Sequence, residues 1–127
     1  IYSLLSMGCK KIFLSNRTIE KAENIKKKFE EVEVLKWKEI PDFDIVINAT
    51  SVGLKGESLD LDFNTKDKVF YDVIYNPKET QFLKRARENG NRIENGKLMF
   101  IYQANQSFSI WNNVIPKIDE EALKILE

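Results

Sequence analysis

Three short polar segments carry residue types suited to binding a charged or hydrogen-bonding ligand. Each follows a run of apolar residues, which is the pattern of a strand that ends in a turn. The side chains offer amides, hydroxyls and a guanidinium, and one segment ends in a flexible glycine. The segments are Ser15-Asn16-Arg17-Thr18, Asn48-Ala49-Thr50-Ser51-Val52-Gly53 and Tyr75-Asn76-Pro77.

The first segment favours a phosphorylated ribose. In a dinucleotide-binding sheet this strand usually ends in Asp or Glu, which binds the ribose 2′-hydroxyl of NAD. Here it ends in Asn16, Arg17 and Thr18, and Lys21 lies one helical turn after Arg17. Arginine pairs with a 2′-phosphate and a helix N-terminus attracts one, so the turn favours NADP. The structural alternative is that Thr18 caps a helix while Arg17 and Lys21 face solvent.

The other candidates also have structural alternatives. The segment from Asn48 to Gly53 suits a hydrogen-bonding ligand, but an ordinary polar turn explains it too. The Tyr75-Asn76-Pro77 segment fits a turn in which Pro77 begins a helix. Gln103 shares a predicted helical face with Met99, so it either faces a cleft or is a hydrogen-bonded core residue.

Composition excludes several classes of function. Lys plus Arg and Asp plus Glu each number 20, so no net charge attracts nucleic acid or an anionic membrane. There is no histidine, which removes imidazole catalysis and His-ligated metal sites. The single cysteine, Cys9, is expected to be a buried structural thiol, and no metal site is predicted. A reducing, cytoplasmic location fits, and no apolar run approaches the roughly 20 residues of a membrane span.

Apolar periodicity predicts alternating strands and helices. The pattern indicates an α/β fold with a doubly wound, mainly parallel sheet and helices on both faces. Ligands of such sheets bind beyond the carboxyl ends of the strands, so we expect the three turns at one edge. The predicted helices are 1–7, ended by Gly8; one from Ile19 with the apolar positions Ile19, Ala22, Ile25 and Phe29 inside; 81–89; 98–112; and 116–126. The predicted strands are 11–15, 32–35, a fully buried 45–47, 68–73 and 92–94.

Four segments together resemble a known family. Their order and spacing agree, from Leu4 to the end, with the C-terminal, NADP-binding half of shikimate dehydrogenase. They are Ser15-Asn16-Arg17-Thr18 with Lys21-Ala22; Asp44 to Gly53; Asp72-Val73-Ile74-Tyr75-Asn76-Pro77 with Thr80; and Gly96-Lys97-Leu98-Met99 with Gln103-Ala104 and Trp111.

The resemblance implies reversible hydride transfer between NADPH and the carbonyl of 3-dehydroshikimate, which gives shikimate. The balanced charge of the chain separately predicts no nucleic-acid or membrane partner. The resemblance assigns the adenosine ribose 2′-phosphate to the first turn, the rest of the cofactor to the second turn and the next helix, and the substrate to two further residues. The implied sets are Asn16, Arg17, Thr18 and Lys21; Thr50, Ser51, Gly96 and Met99; and Tyr75 and Gln103. The residue types of the second turn add Asn48 and Gly53 as cofactor-binding candidates.

Two parts of the family pattern lie outside the sequence. The glycine-rich phosphate loop and the first strand should precede Ile1, and the lysine and aspartate of proton transfer belong to an N-terminal substrate domain. We therefore expect residues 1–127 to be an N-terminally truncated NADP-binding domain, with no catalytic residue, no turnover alone and at most weak NADP binding. Its sheet should be interrupted, rearranged or completed by self-association, and the strand in the Asp44–Gly53 segment should be its most exposed edge.

Two other interpretations share some of these features. The nucleotide domain of glutamyl-tRNA reductase has a similar Asn-Arg-Thr turn, but the Ile74-Tyr75-Asn76-Pro77 segment and Gln103 favour shikimate dehydrogenase. A non-catalytic NADP-binding module is the alternative from another class, and the sequence upstream of Ile1 would distinguish it. The sequence leaves open whether quinate is accepted and whether NADP excludes NAD.

Overall fold

The structure, a computed structural model, describes residues 1–59 and 61–124. It divides into two compact units, Ile1–Asp42 and Phe43–Glu127. Helices and strands alternate in the first unit and are mixed in the second, and the strand pairs are parallel, which confirms the predicted α/β class. The first unit contains α1 (Tyr2–Ser6), β1 (Ile12–Ser15), α2 (Ile19–Lys26) and β2 (Val32–Leu35); the second contains β3 (Ile45–Asn48), β4 (Val69–Asp72), α3 (Gln81–Glu88), β5 (Arg92–Glu94), α4 (Lys97–Asn112) and α5 (Glu120–Lys124).

The described strands form two sheets. In the first unit β1 pairs with β2, with Ile12 opposite Val32. In the second unit the order is β3-β4-β5, and Asn48 at the end of β3 lies opposite Asp72 at the end of β4. This division is the interruption of the sheet expected from the sequence.

Small and branched residues form the core of the first unit. The helix α2 packs against β2, and Ala22 on α2 and Val32 on β2 are both buried. Gly8 adopts a φ of 84° after α1, as predicted for a residue that ends a helix. Two predictions are wrong here: Ile19 is exposed, and Cys9 is exposed because it lies in the open connection between α1 and β1.

Four phenylalanine rings form the core of the second unit. Phe70 on β4 is 1% exposed, and its ring centroid lies 5.3 Å from Phe82 and 5.4 Å from Phe63. Phe43 approaches Phe70 from another side at 5.9 Å. Leu83 is buried beside Phe82, so α3 covers this sheet with the face that its periodicity predicts.

The prediction that β3 is buried on both faces is wrong. Ile45 and Ile47 are 55% and 39% exposed. Within the described residues β3 pairs only with β4, and the face that carries these two side chains is left uncovered. β3 is therefore an edge strand.

The helices near the C-terminus differ from prediction at one boundary. The helix α4 has nearly its predicted bounds, but α5 begins at Glu120 rather than at Pro116. Asp119 supplies the reason, because its Oδ1 accepts a hydrogen bond of 3.0 Å from the Ala122 N–H, as an N-cap does. The predicted positions Ile125 and Leu126 lie outside the described residues. None of the helices described combines the length and hydropathy that a bilayer span requires.

Phe70→Ala tests the aromatic core. It should lower the free energy of unfolding by about 3 to 5 kcal/mol, because it removes a buried ring that contacts three others. Phe108→Ala on α4 is the matched control, since that ring is 46% exposed, and it should cost about 1 kcal/mol or less. Urea unfolding measures both, and equal losses would show that Phe70 is not the centre of the core.

Candidate functional site

The first turn, in the first unit, is held by Asn16. Its Oδ1 accepts a hydrogen bond of 2.8 Å from the Thr18 N–H, directly after β1. Thr18 is the residue before α2, but its hydroxyl makes no capping bond, so the capping role considered for its side chain is wrong. Asn16 instead supplies the side-chain acceptor of this turn. The Thr18 hydroxyl can therefore donate to a ligand.

Two cations stand at the start of α2. Arg17 and Lys21 are exposed, and neither has an ion pair among residues 1–59 and 61–124. A cation near a helix N-terminus is disfavoured by the helix dipole, whereas an anion is favoured there. An anion bound at this turn would meet two cations, the helix N-terminus and the Thr18 hydroxyl. The turn thus has the donor set for a phosphate group.

The second turn is built around the buried amide of Asn48. Its Nδ2 donates to the Val52 carbonyl at 3.1 Å and also to the carboxylate of Asp72. Its Oδ1 accepts from the Thr50 N–H at 3.1 Å and from the Thr50 hydroxyl at 2.8 Å. The buried Asn48 amide therefore stabilises the turn through its bonds to Thr50 and Val52. A contact between Asn48 and a ligand remains a prediction.

The hydroxyl of Thr50 has a fixed polarity. It donates its single proton to Asn48, and its oxygen accepts a hydrogen bond of 3.1 Å from the Val52 N–H. One lone pair remains, so Thr50 can only accept from a ligand and suits a sugar hydroxyl or an amide N–H rather than a phosphate oxygen. Ser51 beside it is exposed and can donate.

Gly53 ends the second turn and packs closely against the Thr80 and Ile74 side chains. Its φ is 116°, and an added Cβ would lie 3.2 Å from the Thr80 side chain. Its N–H donates to Glu57 Oε2, which also accepts from the Lys55 N–H at 2.9 Å. These hydrogen bonds lower the pKa of Glu57 below its usual value, and the bond from the Lys55 N–H has the largest effect. The carboxylate therefore stays charged at neutral pH.

The third segment leaves β4 through Asp72. The Ile74 N–H donates to Asp72 Oδ1 at 3.0 Å, and the Thr80 hydroxyl donates to Oδ2 at 2.6 Å. Thr80 Oγ1 also accepts from the Leu83 N–H, so α3 begins at Gln81 after a threonine cap. The alternative in which Pro77 begins the helix is therefore wrong. The segment from Ile74 to Glu79 is a loop that projects from the sheet.

The start of α4 packs directly against this loop. The Gly96 N–H donates to the Ile74 carbonyl at 3.1 Å, and a Cβ on Gly96 would overlap the Val73 carbonyl oxygen. The Phe100 ring stacks on Tyr75 with centroids 4.5 Å apart. Gln103 follows Phe100 by one turn and is exposed, so the buried-core alternative for Gln103 is wrong.

A cavity of about 480 Å³ joins two of the predicted segments within the second unit. It brings together Thr50 and Ser51, predicted to bind cofactor, with Tyr75, predicted to contact substrate. The other lining residues were given no individual role from the sequence: Val73, Ile74 and Asn76 lie within the predicted Asp72–Pro77 segment, and Leu54 directly follows Gly53. Gly96, Met99 and Gln103 are on or beside α4 and do not line this cavity. The described residues contain no cluster of three or more His, Cys, Asp or Glu side chains that could bind a metal.

The sequence matches one protein-family model and several curated relatives. The family model described as shikimate / quinate 5-dehydrogenase matches residues 1–55. NADP(+) shikimate dehydrogenase from Pelagibacter ubique is 50% identical over 130 residues, which cover 100% of this chain and 49% of that protein. The chain thus spans about half the length of the curated relatives it matches.

Solved structures show the same relationship. Shikimate dehydrogenase from Aquifex aeolicus has a TM-score of 0.83 and 37% identity, over 99% of this chain and 47% of that one. Quinate dehydrogenase from Corynebacterium glutamicum, solved with NAD, has a TM-score of 0.79 and 27% identity, over 98% of this chain and 48% of that one. The predicted resemblance to shikimate dehydrogenase is therefore confirmed, and so is the Rossmann-like fold class.

Gly96→Ala tests the packing that places α4 beside the cavity. The added methyl should push α4 away from Val73 and cost about 1 to 3 kcal/mol of stability. Gly56→Ala is the control, because Gly56 has a φ of 83° but open space around it. NMR should show aromatic shift changes at Tyr75 and Phe100 only for Gly96→Ala. Unchanged Tyr75 and Phe100 signals in that variant would contradict the contact.

Proposed function

Because the chain is similar in sequence and fold to the C-terminal half of shikimate dehydrogenases, we propose that it is the NADP-binding half of such an enzyme. The parent protein would be a cytoplasmic oxidoreductase that transfers hydride reversibly between NADPH and 3-dehydroshikimate to give shikimate. The observation that carries the proposal is the cavity that joins Thr50 and Ser51 of the cofactor motif with Tyr75 of the substrate motif.

The first turn would bind the 2′-phosphate of NADP. Arg17 and Lys21 supply charge, and the Thr18 hydroxyl supplies a donor that helix capping does not use. NAD has a 2′-hydroxyl at this position, and its usual carboxylate acceptor is absent from the turn, where Asn16 stands instead. The donor set therefore favours NADP over NAD.

The cavity would bind the other end of the cofactor and the substrate. The nicotinamide supplies the hydride when bound. The lone pair of Thr50 suits a ribose hydroxyl or the carboxamide N–H₂, and Ser51 offers a donor beside it. The Tyr75 ring, held by its stack on Phe100, would present its hydroxyl to the substrate. Met99 and Gln103 are exposed on the same helix and would extend this surface.

Proton transfer is not assigned to any residue of this chain. The family resemblance places the lysine and aspartate pair in the substrate domain, so we expect residues 1–127 alone to bind NADP weakly and to turn over no shikimate. A non-catalytic NADP-binding module would share the first turn but would give no turnover beside a substrate domain. A chimera separates these two functions.

The chimera joins this chain to the N-terminal half of the Pelagibacter ubique enzyme. The other half of that enzyme, which this chain replaces, is 50% identical to this chain. The chimera should oxidise shikimate with NADP, whereas the isolated chain should not. Quinate in the same assay measures the breadth of substrate choice. A folded chimera that oxidises neither compound would contradict the proposed enzyme.

Arg17→Ala in the chimera tests the cofactor assignment. Losing one charge-assisted bond costs about 1.5 to 3 kcal/mol, so KM for NADP should rise about 10- to 150-fold. KM for NAD should stay within about twofold, because NAD has no 2′-phosphate. Lys28→Ala removes an exposed cation just beyond α2 and should change neither value. An equal rise for both cofactors would reject the 2′-phosphate role of Arg17.

A further inference from the structure

Asp72 is a fully buried carboxylate at the carboxyl end of β4. It is 0% exposed, and it accepts hydrogen bonds from three different parts of the second unit. Asn48 Nδ2 lies 3.2 Å from both oxygens, the Ile74 N–H 3.0 Å from Oδ1, and the Thr80 hydroxyl 2.6 Å from Oδ2. Among the residues described, no lysine or arginine pairs with it.

This arrangement makes the donors of Asp72 obligatory. A buried charge without a counter-ion is costly unless hydrogen bonds replace its lost hydration. Asn48 and Thr80 are themselves buried, so water does not readily replace either side chain. The carboxylate therefore holds the Asn48 amide, the Ile74 N–H and the start of α3 in one fixed relation.

One branch of this network reaches Thr50. Both oxygens of Asp72 accept hydrogen bonds, so the Asn48 amide presents its N–H₂ to Asp72 and its oxygen to the other side. That oxygen then receives both the Thr50 N–H and the Thr50 hydroxyl. The acceptor-only polarity of Thr50 at the cavity is thus set by Asp72 together with the Val52 carbonyl, because both accept from Asn48 Nδ2.

The second branch reaches the opposite wall of the cavity. The Ile74 N–H is bound directly by Asp72, and the residues on both sides of it, Val73 and Tyr75, line the cavity with Ile74 itself. One buried carboxylate is therefore linked to both cavity-lining segments, directly to Ile74 and through Asn48 to Thr50. Neither the motif comparison nor the cavity lining includes Asp72 among the ligand contacts.

We propose that Asp72 is a positioning residue that locks the Asn48–Gly53 turn and the Ile74–Asn76 loop together and fixes Thr50 as a hydrogen-bond acceptor for the bound molecule. The effect of Asp72 on catalysis rests on the proposed function, whereas its effect on the structure of the two segments does not.

Hydrogen exchange in the isolated chain tests the structural part without any ligand. Asp72→Asn keeps the shape of the side chain but removes one acceptor and adds a donor that faces the Asn48 N–H₂. Exchange of the Thr50 and Ile74 amides should accelerate at least about tenfold relative to Arg92, whose amide bonds to the Lys68 carbonyl. Equal acceleration at all three amides, or none at Thr50 and Ile74, would overturn the proposal.

Asn48→Leu provides a test that does not depend on folding of the Asp72 variant. It removes the link between Asp72 and Thr50 but leaves the direct bond from Ile74 to Asp72. Exchange should therefore accelerate at Thr50 while Ile74 stays within about twofold of wild type. Unchanged exchange at Thr50 would show that Asn48 does not transmit the effect and would overturn the proposal.

The chimera tests the consequence for binding. Asp72→Asn should raise KM for NADP at least about fivefold, whereas the inhibition constant of 2′,5′-ADP, which carries only the phosphorylated adenosine end, should stay within about twofold. A parallel rise of both values would mean that Asp72 acts only on general stability. If the wild-type chimera is inactive, the proposed function fails, and the exchange experiments still decide the positioning role.

Discussion

A buried carboxylate with no counter-ion among the described residues is the constraint on which the second unit depends. Asp72 lies where β4 ends, and its three donors come from the end of β3, the loop after β4 and the cap of α3. Because desolvation makes each missing donor expensive, these elements meet in one arrangement rather than several. Phe70, at the centre of the hydrophobic core, lies two residues before Asp72 on β4, and both side chains are buried.

The two candidate surfaces offer complementary chemistry to the two ends of a dinucleotide. The first turn carries exposed cations, so a contact there gains less than a buried ion pair and is weakened by salt. The cavity of the second unit is instead lined by apolar groups, hydroxyls and an aromatic ring. Charge on one surface would select the phosphate, and fixed hydrogen-bond polarity at Thr50 would orient the other end. The resemblance to shikimate dehydrogenase joins these surfaces in one proposed function.

The local sequence pattern was enough to predict most helices and strands, because apolar spacing and a helix-ending residue such as Gly8 act within a few positions. The errors arose where contacts between residues distant in the sequence decide the structure. Ile45 is exposed because strand burial depends on what covers the sheet. The hydrogen bond from Asn48 to Asp72 joins residues 24 positions apart, and no local sequence pattern predicts such a contact. Thr50, Ser51 and Tyr75 were predicted from motifs, but the polarity of Thr50 required the hydrogen-bond network.

The most direct measurement is an NMR titration of the ¹⁵N-labelled chain with NADP up to millimolar concentration, with NAD as the comparison. We predict that NADP shifts two groups of amides, Asn16 to Lys21 and Thr50 to Gly53 with Tyr75, and that NAD shifts the first group much less. Equal shifts of the first group by both cofactors, or NADP shifts confined to other parts of the chain, would contradict the assignment of this protein as an NADP-binding half.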